Sequence, residues 1–87
     1  MSEQGEHRIK RLKMRSMRRG IKEMDLILSK FANSSLTRLT EAELDLYETL
    51  LSENDHDLYQ WVTAQQPPPD LFHRLIEQIQ KTFSKLD

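Results

Sequence analysis

Apolar residues recur along this chain at the three- and four-residue spacing of amphipathic helices, and nowhere do four or more positions alternate as in a strand. One apolar stripe comprises Ile21, Met24, Leu28 and Phe31, until Asn33-Ser34-Ser35 breaks the pattern. Before it, a first helix is predicted from about His7 to Arg18. It is expected to stop near Gly20, because glycine commonly ends helices. The first part of the chain is therefore predicted to form two consecutive helices.

A capping box marks the start of a third helix. Thr40 and Glu43 have the Thr-x-x-Glu spacing in which each side chain binds the other residue's backbone N–H, with Leu39 and Leu44 as the flanking hydrophobic staple. The stripe of this helix comprises Leu44, Tyr47, Leu50 and Leu51. Asn54 with Asp55 is then expected to cap a fourth helix.

The last helices follow the same pattern. The fourth carries Leu58, Trp61 and Val62 and is predicted to end at Pro67-Pro68-Pro69, since a proline triplet cannot continue a helix. The fifth keeps its apolar positions at Phe72, Ile76, Ile79, Phe83 and Leu86. With 87 residues the chain has material for one core. The sequence predicts an all-α, small five-helix bundle, a single domain over residues 1–87 with a flexible N-terminal tail at 1–6.

Composition excludes several classes of site. The chain has no cysteine, which rules out disulfides, zinc ribbons, iron–sulfur clusters and thiol catalysis. Its longest apolar run is Leu26-Ile27-Leu28, too short for a membrane span or a signal-peptide core. Asp55-His56-Asp57 resembles a set of metal ligands, but acids there are also expected at a helix N-terminus. There is no glycine-rich phosphate loop and no nucleophile motif, so we expect no metal site, no catalytic residues and no enzyme.

Charge is distributed very unevenly along the chain despite a net charge of −1. Eight bases and no acid lie between positions 8 and 22: Arg8, Lys10, Arg11, Lys13, Arg15, Arg18, Arg19 and Lys22. Seven acids and no base lie between positions 41 and 57: Glu41, Glu43, Asp45, Glu48, Glu53, Asp55 and Asp57. The basic run has no aromatic residue to stack on bases or to sit in a membrane interface. We therefore expect a protein partner, with a small basic-helix nucleic-acid-binding protein as the alternative.

Gly20 lies between the oppositely charged Arg19 and Glu23, which are four residues apart. A glycine inside a helix costs roughly 1 kcal/mol relative to alanine. Its presence indicates either a helix junction or a position that another backbone approaches closely, and both interpretations remain open.

The motifs around this glycine resemble those of a known family. The pattern runs Lys10-Arg11-Leu12, Arg15-Ser16 and Arg18-Arg19-Gly20-x-x-Glu23, then Leu50-Leu51-x-Glu53-x-Asp55-x-Asp57-Leu58-Tyr59-x-Trp61. Over most of the chain it closely resembles the succinate dehydrogenase flavinylation factor family (assembly factor 2 in mitochondria, SdhE in bacteria). The resemblance also implies a five-helix bundle.

The resemblance implies an assembly factor, or chaperone, without catalysis of its own. Such factors bind the flavoprotein subunit of succinate dehydrogenase, and in bacteria also that of fumarate reductase, and promote covalent attachment of FAD to a histidine of that subunit. FAD would be the client's cofactor. The implied partner-binding residues are Arg19, Gly20 and Glu23, with Arg11, Arg15 and Arg18 widening the contact. Lys22 departs from the family pattern, and Trp61 is either a core residue or an interface anchor.

Location and assembly state are further expectations. Only a few residues precede the basic run, so no mitochondrial presequence is expected and a bacterial cytoplasmic protein is predicted. We expect a monomer when free, no nucleic acid and no membrane insertion. Pairing of the basic and acidic stretches between copies is an alternative.

Overall fold

The computed structural model describes residues 5–17 and 19–84, with side chains up to Thr82. Within these ranges the chain forms five α-helices and no strand: α1 (Gly5–Arg15), α2 (Lys22–Ser35), α3 (Glu41–Leu51), α4 (Asp55–Val62) and α5 (His73–Ser84). Two short 3-10 turns, Leu36–Arg38 and Asp70–Phe72, precede α3 and α5. The predicted all-α five-helix architecture is confirmed. None of the helices described is long and apolar enough to cross a membrane.

One hydrophobic core joins all five helices. The stripe of α2 packs against α1, α4 and α5. Leu12 of α1, Tyr47 of α3, Leu58 of α4 and Ile79 of α5 are completely buried. Phe31 lies against Tyr47 with ring centroids 5.4 Å apart, and Trp61 lies against Phe72 at 5.9 Å. These two ring pairs contribute large apolar areas to a core that has no cross-link to support it.

The first two helices differ from prediction at their ends. Gly5 and Glu6, expected in a flexible tail, begin α1, while residues 1–4 lie outside the described ranges. Helix α1 ends at Arg15 rather than Arg18, because the N–H of Met17 turns to the carbonyl of Met14 three residues back. Helix α2 continues through Ser35. The predicted break fails because the Ser34 hydroxyl donates to the Lys30 carbonyl within the helix, as serine often does there.

The predicted capping box of α3 is confirmed, and the predicted cap of α4 is confirmed for Asn54 but not for Asp55, which is the first residue of the helix. Thr40 Oγ1 accepts from the Glu43 N–H at 3.2 Å, and Glu43 Oε1 accepts from the Thr40 N–H at 2.8 Å. This backbone hydrogen bond lowers the pKa of Glu43. Asn54 caps α4 by accepting from the His56 N–H at 2.7 Å.

Helix α4 ends before the proline triplet, so the prediction that the prolines end it is wrong. The helix ends at Val62, and Ala64 takes a left-handed conformation with φ of 63°. The N–H of Ala64 donates to the Trp61 carbonyl at 3.2 Å, and that of Gln65 to the Gln60 carbonyl at 2.8 Å. This is the hydrogen-bond pattern of a Schellman motif, with alanine where glycine is usual. The terminator was missed because no glycine marks it.

Candidate functional site

The segment from Arg19 to Glu23 comprises the end of the connection between α1 and α2 and the first two residues of α2, and we call it the junction segment. Gly20 is exposed, and its N–H donates to Asp55 Oδ2 at 2.6 Å. Its φ is not positive, so the glycine is not required by a left-handed backbone. A Cβ at Gly20 would lie 3.2 Å from Asp55 Oδ2, a tight contact. Gly20 therefore lies at a helix junction, with a side chain of the same protein close to it, and its approach by another backbone stays a prediction.

Arg19 is anchored inside the protein rather than extended into solvent. Its Nε donates to Asp55 Oδ1 at 2.7 Å, and the two side chains are 13% and 18% exposed. Its Nη1 donates to the carbonyl of Leu51 at 3.0 Å, and Nη2 to that of Glu53 at 3.3 Å. These carbonyls lie at the C-terminal end of α3, where a cation is favoured by the helix dipole. The family resemblance implies a place for Arg19 at the client surface, which stays a prediction; in the structure its guanidinium is held by the turn between α3 and α4.

Glu23 is the exposed acid of the junction segment. It lies in the first turn of α2 and has no hydrogen-bond or ion-pair partner within residues 5–17 and 19–84. A shallow depression beside it is also lined by Lys22, Leu26 and Ser29, and Leu26 is 64% exposed. Arg19 and Glu23, four residues apart, form no ion pair with each other, because Arg19 is paired with Asp55. Gly20, Lys22, Glu23 and Leu26 thus give a surface of mixed character.

The basic run folds against the acids of α3. Arg8 binds Glu41 at 3.2 Å and Asp45 at 2.5 Å. Arg11 makes a two-pronged contact with Glu48, with Nη1 to Oε2 at 2.9 Å and Nη2 to Oε1 at 3.1 Å. The hydrogen bond from Arg11 is the main cause that lowers the pKa of Glu48. The uneven charge along the chain is therefore compensated largely within one molecule.

Arg15 completes this arrangement, which we call the α1–α3 charge contact (Arg8, Arg11 and Arg15 with Glu41, Asp45 and Glu48). Arg15 Nη1 lies 3.8 Å from Glu48, and its Nη2 donates to Ser52 Oγ at 3.4 Å. Arg11 and Arg15 remain partly exposed, at 39% and 37% of their side chains. A partner can therefore reach them only beside carboxylates that they already bind. Arg18, the remaining predicted contact, lies outside the described residues.

The outward face of α1 keeps a different set of residues. Lys10 and Lys13 have no acidic partner in the part of the chain that the structure describes. Met14 and Met17 are 66% and 48% exposed. Methionine adapts to irregular partner surfaces, so Met14 of α1 and Met17, which follows the helix, offer exposed apolar contact area.

Trp61 is a core residue, and not the interface anchor that was the alternative. It is 9% exposed and packs on Phe72. Its carbonyl accepts from the Gln80 side chain at 3.1 Å, which ties α4 to α5.

Three residues that shape the site were not recognised from the sequence as site residues. Asp55 was interpreted as a capping acid, yet it binds the junction segment. Ser16 and Tyr47 form a buried hydrogen bond of 2.6 Å beneath that segment. A tyrosine on an apolar stripe is the only sequence signal, because a buried hydroxyl needs a partner. Among the described residues no three His, Asp or Glu side chains are placed to hold a metal ion.

Comparison with known proteins agrees with the motif resemblance. The family model described as "Flavinator of succinate dehydrogenase" (Sdh5) matches residues 10–83. A protein named succinate dehydrogenase assembly factor 2, mitochondrial, from Scheffersomyces stipitis is 51% identical over 63 residues, covering 69% of this chain and 42% of that protein. Its namesake from Danio rerio is 37% identical over 78 residues, covering 87% and 49%. That from Saccharomyces cerevisiae is 42% identical over 76 residues, covering 82% and 47%.

The names and lengths of these relatives test several predictions made from the sequence. The chain spans less than half the length of each of them. The predicted bacterial cytoplasmic location is wrong, because these relatives are named as mitochondrial proteins. They are also named as assembly factors, which confirms the expectation that the chain is not an enzyme. With most of its length matched by the family model, the chain belongs to the flavinator of succinate dehydrogenase family.

Proposed function

We propose that this chain is an assembly factor that binds the flavoprotein subunit of succinate dehydrogenase and promotes covalent attachment of FAD to it. The names of the family and of the relatives support the client and the role. The observation that carries the proposal to particular residues is the exposure of Gly20 and Glu23 on a segment that Asp55 holds by accepting hydrogen bonds from Gly20 and Arg19. Glycine permits close approach of a partner backbone, and an unpaired carboxylate supplies a specific polar contact.

The mechanism in this proposal is one of positioning. FAD belongs to the client, and the bond-forming chemistry is that of the flavin and the client's own histidine. The assembly factor holds the immature client so that these two groups remain in reacting geometry, which lowers the entropic part of the barrier. Glu23 and Gly20 provide the contact, and Arg11 with Arg15 adds charge at its edge.

The flavoprotein subunit of fumarate reductase is a second client within the same proposal. The same assay tests this second client when its apo subunit replaces that of succinate dehydrogenase. We also propose that the free chain is a monomer. Support comes from the α1–α3 charge contact, because bases already bound within one molecule are less able to pair with a second copy.

Nucleic acid is disfavoured as a partner by the same contact. Of the eight bases in the basic run, Arg8, Arg11, Arg15 and Arg19 bind carboxylates of their own chain. Phosphates would have to replace those carboxylates, so the gain per phosphate contact is reduced.

The test is reconstitution with purified client. The apo flavoprotein subunit is incubated with FAD, with or without this chain, and covalent flavin is read as in-gel fluorescence after denaturation. We expect the chain to raise covalent flavin, Glu23→Ala to abolish most of that gain, and Glu77→Ala, an exposed acid on α5, to behave as wild type. Equal covalent flavin with and without the chain would contradict the proposal, and an RNA that binds as tightly as the client would favour the alternative.

A further inference from the structure

Asp55 uses both oxygens of its carboxylate on the junction segment, 35 residues away in sequence. Oδ2 accepts from the Gly20 N–H at 2.6 Å, and Oδ1 accepts from Arg19 Nε at 2.7 Å. The side chain is only 18% exposed. Hydrogen bonds to an ionised carboxylate are shorter and stronger than those between neutral groups.

Capping of α4 does not account for this arrangement. The N-cap is Asn54, whose Oδ1 already accepts from the His56 N–H at 2.7 Å. The Asp55 oxygens point instead at Gly20 and Arg19, and Arg19 in turn binds the carbonyls of Leu51 and Glu53. A carboxylate at the start of α4 therefore connects the junction segment to the turn between α3 and α4.

The start of α2 has no side-chain cap, although Ile21 of the junction segment is partly buried against the core. Ile21 is the N-cap of α2, with extended φ and ψ of −110° and 123°, and it makes no side-chain capping hydrogen bond. The N–H of Gly20 lies outside both helices and has Asp55 as its acceptor. The contact from Asp55 of α4 is therefore the hydrogen bond that holds the Gly20 N–H in place.

We propose that Asp55 is a positioning residue, whose carboxylate holds Gly20 and Arg19 in the one conformation that presents Gly20 and Glu23 to the client. This inference rests on the proposed function. Without the carboxylate, the binding-competent conformation becomes one of several. The apparent affinity for the client is then the intrinsic affinity multiplied by the fraction of molecules that remain competent.

Substitution of Asp55 separates positioning from stability. In Asp55→Ala we expect faster amide hydrogen exchange at Gly20 and an increase of about tenfold in the factor concentration that gives half-maximal covalent flavin, because affinity scales with the competent fraction. The maximal yield at saturating factor is expected to be retained. Asp55→Asn keeps the shape and an acceptor, and its half-maximal concentration is expected to lie between those of wild type and Asp55→Ala.

Two neighbours serve as matched controls. Asn54→Ala removes the cap of α4 and lowers stability without touching the junction segment. Asp57→Ala removes an exposed acid from the same helical turn. Both are expected to keep the half-maximal concentration of wild type, even where Asn54→Ala melts as low as Asp55→Ala.

The outcomes distinguish this inference from the function on which it rests. A wild-type chain that promotes no covalent flavin overturns the proposed function and this inference with it. An active wild type with the same half-maximal concentration in Asp55→Ala as in Asn54→Ala overturns the inference alone. Unchanged hydrogen exchange at Gly20 in Asp55→Ala overturns it as well.

Discussion

The hydroxyl of Tyr47 donates a hydrogen bond to Oγ of Ser16 at 2.6 Å, inside the core and between α3 and the end of α1. The direction follows from a second bond, because the Ser16 hydroxyl proton is directed at the Leu12 carbonyl, 2.8 Å away. Ser16 and Tyr47 are both fully buried. This pair ties the first residue after α1 to α3.

Tyr47→Phe is predicted to lower the free energy of unfolding by about 1 to 2 kcal/mol, because it removes a buried hydrogen bond and leaves Ser16 Oγ without a donor. Urea denaturation measures the change. Tyr59→Phe is the matched control, since the Tyr59 hydroxyl has no partner among the described residues and its loss should change stability by less than about 0.5 kcal/mol. Equal effects of the two substitutions would contradict the role of the pair.

The contribution of Tyr47 is also predicted to depend on alkaline pH. Burial raises its pKa from 10 to about 12. A raised pKa in the folded protein means that the stabilisation is complete below pH 10 and is lost as the pH rises from about 10 toward 12. The stability difference between wild type and Tyr47→Phe should therefore shrink when urea denaturation at pH 9 is repeated at pH 11.5. A constant difference would contradict the assignment.

Glu48→Gln is predicted to destabilise the protein by about 1 kcal/mol at low salt, since three arginines of α1 share that partly exposed carboxylate. The loss should decrease in high salt, because screening already weakens these pairs. The lowered pKa of Glu48 also sets the pH dependence of its contribution to stability. That contribution is present above the ordinary glutamate pKa and is lost as the pH falls through the lower pKa of the folded state.

Glu53→Gln provides the control for charge alone. It changes the net charge equally, and its carboxylate has no partner in the described ranges, so the effect should be small. Thermal melts at low and high salt measure both variants. A salt-independent loss in Glu48→Gln would show that packing, rather than charge, is responsible.

Ala64→Gly is predicted to stabilise the protein by about 0.5 to 1 kcal/mol, because a left-handed conformation is strained for alanine and not for glycine. Ala42→Gly, at an exposed position of α3, should have the opposite sign and cost up to about 1 kcal/mol. Thermal denaturation measures both. Destabilisation by Ala64→Gly would contradict the end of α4 as described.

Local signals predicted the fold well. The capping box at Thr40 depends on residues three apart, so the sequence alone determined it. The end of α4 was misplaced because it depends on the backbone of Ala64, an unremarkable residue in sequence. The end of α1 was misplaced because Ser16 is held by Tyr47, 31 positions away. Helix ends that are determined by tertiary contacts thus could not be predicted from the periodicity of apolar residues.

The site shows the same division. The motif around Gly20 was found from the sequence because its residues are adjacent. The partners of Arg11 and Arg19 lie 37 and 36 positions away, so no spacing rule could pair them. Runs of bases and acids indicated a complementary charge somewhere, but only the packing of α1 on α3 shows that it lies in the same molecule.

The central claim is that the exposed surface at Gly20 serves the client and not the fold, and Gly20→Arg tests it most directly. The added Cβ needs only a small shift of Asp55, so the free energy of unfolding should fall by less than about 1 kcal/mol. The melting temperature should then fall by less than about 8 °C. Gly20→Ala is the matched control, with a similar melt and an intermediate activity.

The measurement is covalent flavin in the client with each variant, beside thermal melts of the factor alone. We predict that folded Gly20→Arg gives no more covalent flavin than a reaction without the factor. Wild-type covalent flavin from a folded Gly20→Arg protein would contradict the account.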